Sequence, residues 1–223
     1  MSFLLRVVLP DTPGSLGAVA TALGNAGADI LGVDVVERAH GHAVDDLAVE
    51  LPSGRPPDVL ITAAESVPGV EVESVRPHSG KLDTHNELEL IEAITVDPGN
   101  GLRLLAEGVP RIFRAGWALV AARDGTHSFR LAESTAAPET RAGDLPWLPL
   151  THPIVVDPAV HWVPEPWTAL DTELAAAPFG PSAPHALVVG RPGGPAFRPS
   201  ELARLAHLAG IVTTILGDQS PAR

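Results

Sequence analysis

The sequence predicts an α+β protein made of two mixed units joined by a short polar linker. Three observations carry that prediction. Apolar runs of strand length alternate with longer stretches whose apolar residues recur every three to four positions, so strands and helices are interleaved. Over residues 1–76 these stretches follow the order strand, helix, strand, strand, helix, strand. After the polar stretch PHSGKLDT at 77–84 the rhythm changes, and no internal repeat links the two halves.

The first strand is predicted over residues 3–9, apolar apart from Arg6. The turn PDTPG follows. Thr12 is placed to N-cap a helix and Pro13 to occupy its first position, where a missing N–H needs no partner. Leu16, Val19, Ala20 and Leu23 then form one apolar face, and Gly27 stands where a C-capping glycine belongs. Residues 29–38, DILGVDVVER, read as a second strand with Gly32 as a bulge or close-approach site. His40-Gly41-His42 is a hairpin turn signal, and residues 43–51 return as a third strand. A loop at 52–57, a helix at 58–67 stopped by Pro68-Gly69, and a strand at 70–76 complete the series. The order βαββαβ is the ferredoxin-like arrangement, a four-stranded antiparallel sheet with both helices on one face.

Residues 86–95 and 101–113 read as helices around the turn Asp97-Pro98-Gly99-Asn100. Residues 117–123 and 128–132 read as short strands flanking Asp124-Gly125. A proline-punctuated region follows, with a short strand at 154–156. Further strands are placed at 173–178 and 186–191. Residues 199–216 form the clearest helix, with Leu202, Leu205, Leu208, Ala209, Val212 and Leu216 in one stripe. The predicted division is 1–76, a linker at 77–84, a second domain at 85–217 and a tail at 218–223.

Composition removes several classes of function. The net charge of −12 argues against nucleic acid, and Lys81 is the only lysine. There is no cysteine, so disulfides, thiolate metal sites and cysteine nucleophiles are excluded. The N-terminus lacks the basic start of a signal peptide, and no apolar run reaches membrane-spanning length. A cytoplasmic protein without membrane attachment is the expectation.

The first 76 residues resemble the ACT domain, a small βαββαβ module that binds amino acids and regulates metabolic enzymes. The resemblance rests on Asp11-x-Pro13-Gly14-x-Leu16, on the helix with Val19 and Leu23, and on Gly27-Ala28-Asp29-Ile30 leading into the second strand. Asp29 stands where that family usually has Asn. The resemblance implies a homodimer with the effector held between the first turn of one chain and a strand of its partner. It puts Asp11 on the ligand's amino group and backbone groups of Thr12, Gly14 and Ser15 around its carboxylate. Ile30 and Leu31 would face it across the interface. From the residues alone, Asp11 reads equally as a turn former before proline.

The second half resembles a GAF-like sensory domain with a central antiparallel sheet. Its supporting features are two leading helices, Gly116-Trp117-Ala118-Leu119-Val120, residues 186–191 followed by Pro195-x-Phe197, and the closing helix. It has neither a chromophore cysteine nor a recognisable phosphate-binding signature, so no pocket chemistry carries over.

Little else carries chemistry. No GxSxG, Walker A, GxGxxG or HExxH motif occurs. His40 and His42 with Asp45 and Asp46 offer metal-type donors, but two histidines at i, i+2 supply no third ligand at a defined spacing. They read as a solvated hairpin tip and edge. The stretch 190–194 is glycine-rich, yet its prolines remove N–H donors, and it reads as a strand-to-helix turn. Trp162 and Trp167 in a proline-rich loop suggest a lid or an interface, while the four tryptophans otherwise read as core. The expectation is a non-catalytic regulatory protein without a cofactor, binding an amino acid or related small molecule at a dimer interface. The alternative is a dimerisation module that docks a metabolic enzyme or other partner without a ligand.

Overall fold

The computed structural model describes residues 1–78, 85–124, 127–139, 145, 147–180 and 185–217. Most of the predicted linker, the tail and Gly125 of the predicted hairpin lie outside the described residues. The chain divides into two compact units, Met1–Asp83 and Thr84–Arg223. Both are mixed α/β, each with an antiparallel sheet.

The first unit runs β1 (Ser2–Pro10), α1 (Ser15–Asn25), β2 (Asp29–Ala39), β3 (His42–Glu50), α2 (Asp58–Glu65) and β4 (Glu71–Pro77). Its sheet has the order β2-β3-β1-β4, with β2 and β4 at the edges. Phe3, Leu5, Val7 and Leu9 of β1 pair with Val49, Leu47, Asp45 and Ala43 of β3. These alternate positions share one face, as strand geometry requires. Apart from Asp45 they join Val19 and Leu23 of α1 and Leu60 and Ala64 of α2 in one core. Helix α1 ends in a Schellman turn: Gly27 has φ +81°, and Ala28 N–H returns to Leu23 O at 3.0 Å. The β2–β3 turn has φ of 54° at His40 and 80° at Gly41, as a two-residue hairpin of primed type needs. Strand β2 is bulged between Ile30 and Gly32 and again between Val35 and Glu37.

The second unit runs α3 (Asn86–Val96), a 3₁₀ turn (Pro98–Asn100), α4 (Gly101–Ile112), β5 (Trp117–Asp124), β6 (His127–Glu133), β7 (Ile154–Val156), α5 (Glu165–Thr168), β8 (Glu173–Phe179), β9 (His185–Arg191) and α6 (Pro199–Gly217). The sheet order is β6-β5-β9-β8-β7. One face, with Ala118, Val120, Ala175 and Val189, packs against Ile94, Val109 and Leu205 of the helices. The opposite face packs Trp117, Leu119 and Val188 against Leu148, Val163 and Trp167.

Of the two tryptophans read as a lid or an interface, Trp162 is half-buried and Trp167 is core. Trp167 belongs to the one-turn helix α5, is 1% exposed, and stacks at a tilt on Trp117 with centroids 5.7 Å apart. An indole this deep contributes packing and has no freedom to act as a gate. The glycine-rich stretch is a strand-to-helix turn. Buried Arg191 fixes it by donating to Phe113 O at 2.7 Å, Glu201 Oε1 at 2.6 Å and Pro195 O at 3.0 Å.

Candidate functional site

The β1–α1 turn is built by three backbone bonds. Asp11 N–H donates to Gly41 O at 2.9 Å, Thr12 N–H to Pro10 O at 2.8 Å, and Ser15 N–H to Thr12 O at 3.2 Å. The first anchors the turn to the β2–β3 hairpin tip. The other two consume the residues that sequence reading assigned to a cap. Helix α1 therefore starts at Ser15, and Gly14, not Thr12, is its N-cap residue. Gly14 has φ +96° and makes no side-chain cap. Thr12 Oγ1 instead meets Ser15 Oγ at 2.8 Å. The first intrahelical bond is Ala18 N–H to Gly14 O. The N–H groups of Leu16 and Gly17 thus precede the ladder, at the positive end of the helix dipole. A residue with a Cβ is strained at Gly14's φ, although open space surrounds that position. Gly14→Ala is expected to lower stability by about 1 kcal/mol, read as a reduced urea midpoint with an unchanged slope.

Asp11, Thr12 and Gly14 lie exposed on this turn, and Ser15 is half-buried beside them. Asp11 Oδ1 is 3.7 Å from Arg38 Nε at the end of β2. Ile30 and Leu31 are elsewhere. Pro10 pairs with His42 and Ile30 with Val49, seven residues further along β3. At about 3.3 Å per residue that is roughly 23 Å, so one chain cannot bring both groups to one small ligand. Ile30 packs partly into the core, while Leu31 is 48% exposed.

Asp45 and Asp46 are not the exposed pair that the hairpin pattern suggested. They are 2% and 0% exposed. Strand alternation sends them to opposite faces of β3. Asp46 receives both Arg6 Nε at 2.7 Å and Arg6 Nη2 at 2.9 Å, a buried bidentate pair. Asp45 points to the helix-bearing face between Val7 and Val35. Its Oδ1 is buried and accepts no hydrogen bond among the described residues. Burial pushes its carboxyl above the ordinary 3.8; Arg38 pulls it back, and Asp11, Asp46 and Asp34 push it further up. Sequence reading missed this residue because an acid beside a hairpin reads as solvated. The available signal was parity: Asp45 shares its strand face with Leu47, Val49 and Leu51.

In the second unit an open cleft of about 710 Å³ is lined by Pro98, Leu102, Arg103, Leu131, Glu133 and Leu216. A cleft of about 440 Å³ lies between α3 and α6, where Arg204 and Glu87 pair with each other beside exposed His207. Among the described residues no three His, Asp or Glu side chains converge as a metal site, and no helix is long and apolar enough to cross a membrane.

No protein-family model matches the chain. A 116-residue stretch is 28% identical to NAD-dependent malic enzyme of Geobacillus stearothermophilus, covering 52% of this chain and 24% of that enzyme. The chain thus spans about a quarter of the length of the curated relative it matches. Among solved structures it is similar to free methionine-R-sulfoxide reductase from Neisseria meningitidis in complex with its substrate, at 16% identity and TM-score 0.49, covering 63% of this chain and 94% of that one. It is also similar to the GAF domain of Acinetobacter phosphoenolpyruvate-protein phosphotransferase, at 11% identity and TM-score 0.45, covering 61% and 95%. A formyltetrahydrofolate deformylase from Pseudomonas putida KT2440 matches at 12% identity and TM-score 0.29, covering 44% and 39%. GAF domains are therefore among its structural neighbours, but at these TM-scores the likenesses carry no argument about ligand or chemistry.

Proposed function

We propose that the chain is a non-catalytic regulatory protein whose first unit is an ACT-type, ferredoxin-like amino-acid module and whose second is GAF-like. The observation that carries the reading is the β1–α1 turn. There a helix N-terminus without a side-chain cap, opened by Gly14, follows Asp11, whose carboxylate lies 3.7 Å from Arg38 Nε. The helix end accepts an anion and the carboxylate accepts an ammonium, which are the two charges of an amino acid. Ile30 and Leu31 lie too far along the sheet to reach the same ligand from their own chain, so their part in the site requires a second copy. Ligand held between two copies would favour one arrangement of the dimer, by its differential affinity for the alternatives.

The test is calorimetry of the full chain against the twenty amino acids, with native mass spectrometry for subunit count. Binding by at least one amino acid, weakened about tenfold by Asp11→Ala, is the expected result. Wild-type and Asp11→Ala protein that behave alike would remove Asp11 from the site.

A docking module remains the second reading, favoured by one observation. Leu31, Val33 and Val35 on edge strand β2 are 48%, 41% and 44% exposed, an apolar row open to a partner. This reading predicts capture of a metabolic enzyme that no amino acid alters.

A further inference from the structure

We propose that Arg38 is the second charged anchor of the amino-acid site: its guanidinium takes the effector's α-carboxylate while Asp11 takes the α-ammonium. The inference rests on the amino-acid reading above and adds to it a residue and a rule of selection. Sheet pairing brings the two side chains together. Asp11 N–H donates to Gly41 O at 2.9 Å, which ties the β1–α1 turn to the tip of the β2–β3 hairpin. Arg38 lies just before that tip, opposite Ala43 of β3. Its Nε is 3.7 Å from Asp11 Oδ1. A cation of the chain itself thus stands at the carboxylate assigned to the ligand's ammonium.

The pair is loose. At 3.7 Å it is an ion pair and not a hydrogen bond. The Arg38 and Asp11 side chains are 64% and 38% exposed, so water screens their attraction and opening the pair costs little. Both groups keep hydrogen-bonding capacity for a ligand. Asp45, on the same side of β3 as Ala43, also feels the charge of Arg38. That attraction keeps the guanidinium at this end of the sheet when Asp11 turns to a ligand.

An α-amino acid carries both charges on one carbon. Entering between Asp11 and Arg38, it replaces one loose ion pair by two charge-assisted contacts. The planar fork of arginine donates two parallel hydrogen bonds to a carboxylate, which a neutral backbone N–H cannot match. A molecule with a single charge cannot make this exchange. An amine that takes Asp11 deprives Arg38 of that partner and meets its like charge. A carboxylate that takes Arg38 leaves Asp11 in the same position. The ion pair therefore selects zwitterions over amines and over simple acids. Asp11 and Arg38 belong to one chain, so this recognition needs no second copy, unlike any contribution from Ile30 and Leu31.

Calorimetry of the full chain against the twenty amino acids identifies those that bind. Each of these is then compared with its amine and its deaminated acid, ethylamine and propionate in the case of alanine, for wild-type protein and Arg38→Gln. Wild-type protein is expected to bind the amino acid at least about tenfold more tightly than either single-charge analogue. Arg38→Gln is expected to weaken amino-acid binding about tenfold and to leave the amine bound no more weakly than before. The side chain is exposed, and a thermal melt confirms that the variant is folded. Arg38→Gln protein that binds the amino acid as tightly as wild type, or that loses amine and amino acid in equal measure, overturns the role of Arg38 and leaves the amino-acid reading standing. An amine that binds wild-type protein as tightly as its amino acid overturns that role without recourse to a variant. No binding of any amino acid to wild-type protein overturns both.

Discussion

Asp46→Ala should destabilise the first unit by about 3–5 kcal/mol, because it leaves the Arg6 guanidinium buried without its bidentate partner. Both side chains are fully buried, on neighbouring strands β1 and β3 in direct register. A loss of that size is about a fifth or more of the stability of an ordinary domain, roughly 5–15 kcal/mol. The pair itself need not be stabilising relative to hydrocarbon, since removing two charges from water costs about as much as their attraction returns. The double variant Arg6→Met with Asp46→Leu is therefore expected to recover most of the loss. Chemical denaturation followed by far-ultraviolet circular dichroism is the measurement. The chain has two units, so the transition of the first must be resolved separately. An Asp46→Ala midpoint equal to wild type would show that Arg6 finds another partner on unpairing.

The second large effect is expected at Gly190. It pairs with Trp117 across β5 and β9, and the indole lies over the glycine backbone. A Cβ at 190 would stand 2.0 Å from Trp117 Cε2 and 2.2 Å from Cζ2, well inside contact distance. Trp117 cannot retreat easily, because its other neighbour is the buried ring of Trp167. Gly190→Ala is expected to cost about 3 kcal/mol, the upper end for overpacking a core. Trp117→Leu in the same background should return part of that cost. Coupling between the two sites is expected at about 0.5–3 kcal/mol, and strictly additive losses would mean that the indole is not what fills the space above Gly190.

Much of the local architecture was legible because it rests on short-range rules. His40-Gly41 makes a tight hairpin because positive φ is cheap at Gly and tolerable at His. Gly27 closes α1 for the same reason, and Gly32 marks a bulge in β2. The helix stripe around Leu205, Leu208 and Val212 turns inward as its period requires. What escaped is set by the strand neighbours. Arg6 and Asp46 are forty positions apart, and only the β1–β3 register makes them partners. Asp45 is buried because its face of β3 is the one that packs into the core, which local polarity does not reveal. The N-cap moved from Thr12 to Gly14 because the turn must also reach Gly41. Asp11, Thr12, Gly14 and Ser15 are neighbours in sequence and so fall on one turn, whereas Arg38 meets Asp11 only because the β2–β3 hairpin returns beside that turn.

The two irregularities of β2 bear on how this protein coexists with others in a crowded cell. An edge strand with exposed Leu31, Val33 and Val35 would, if regular, offer a template for any extended chain and a route to aggregation. The breaks at Ile30/Gly32 and Val35/Glu37 interrupt that template after a few residues, and Asp34 sits within the remaining segment. The bulges thereby limit how far any extended chain can add to this edge.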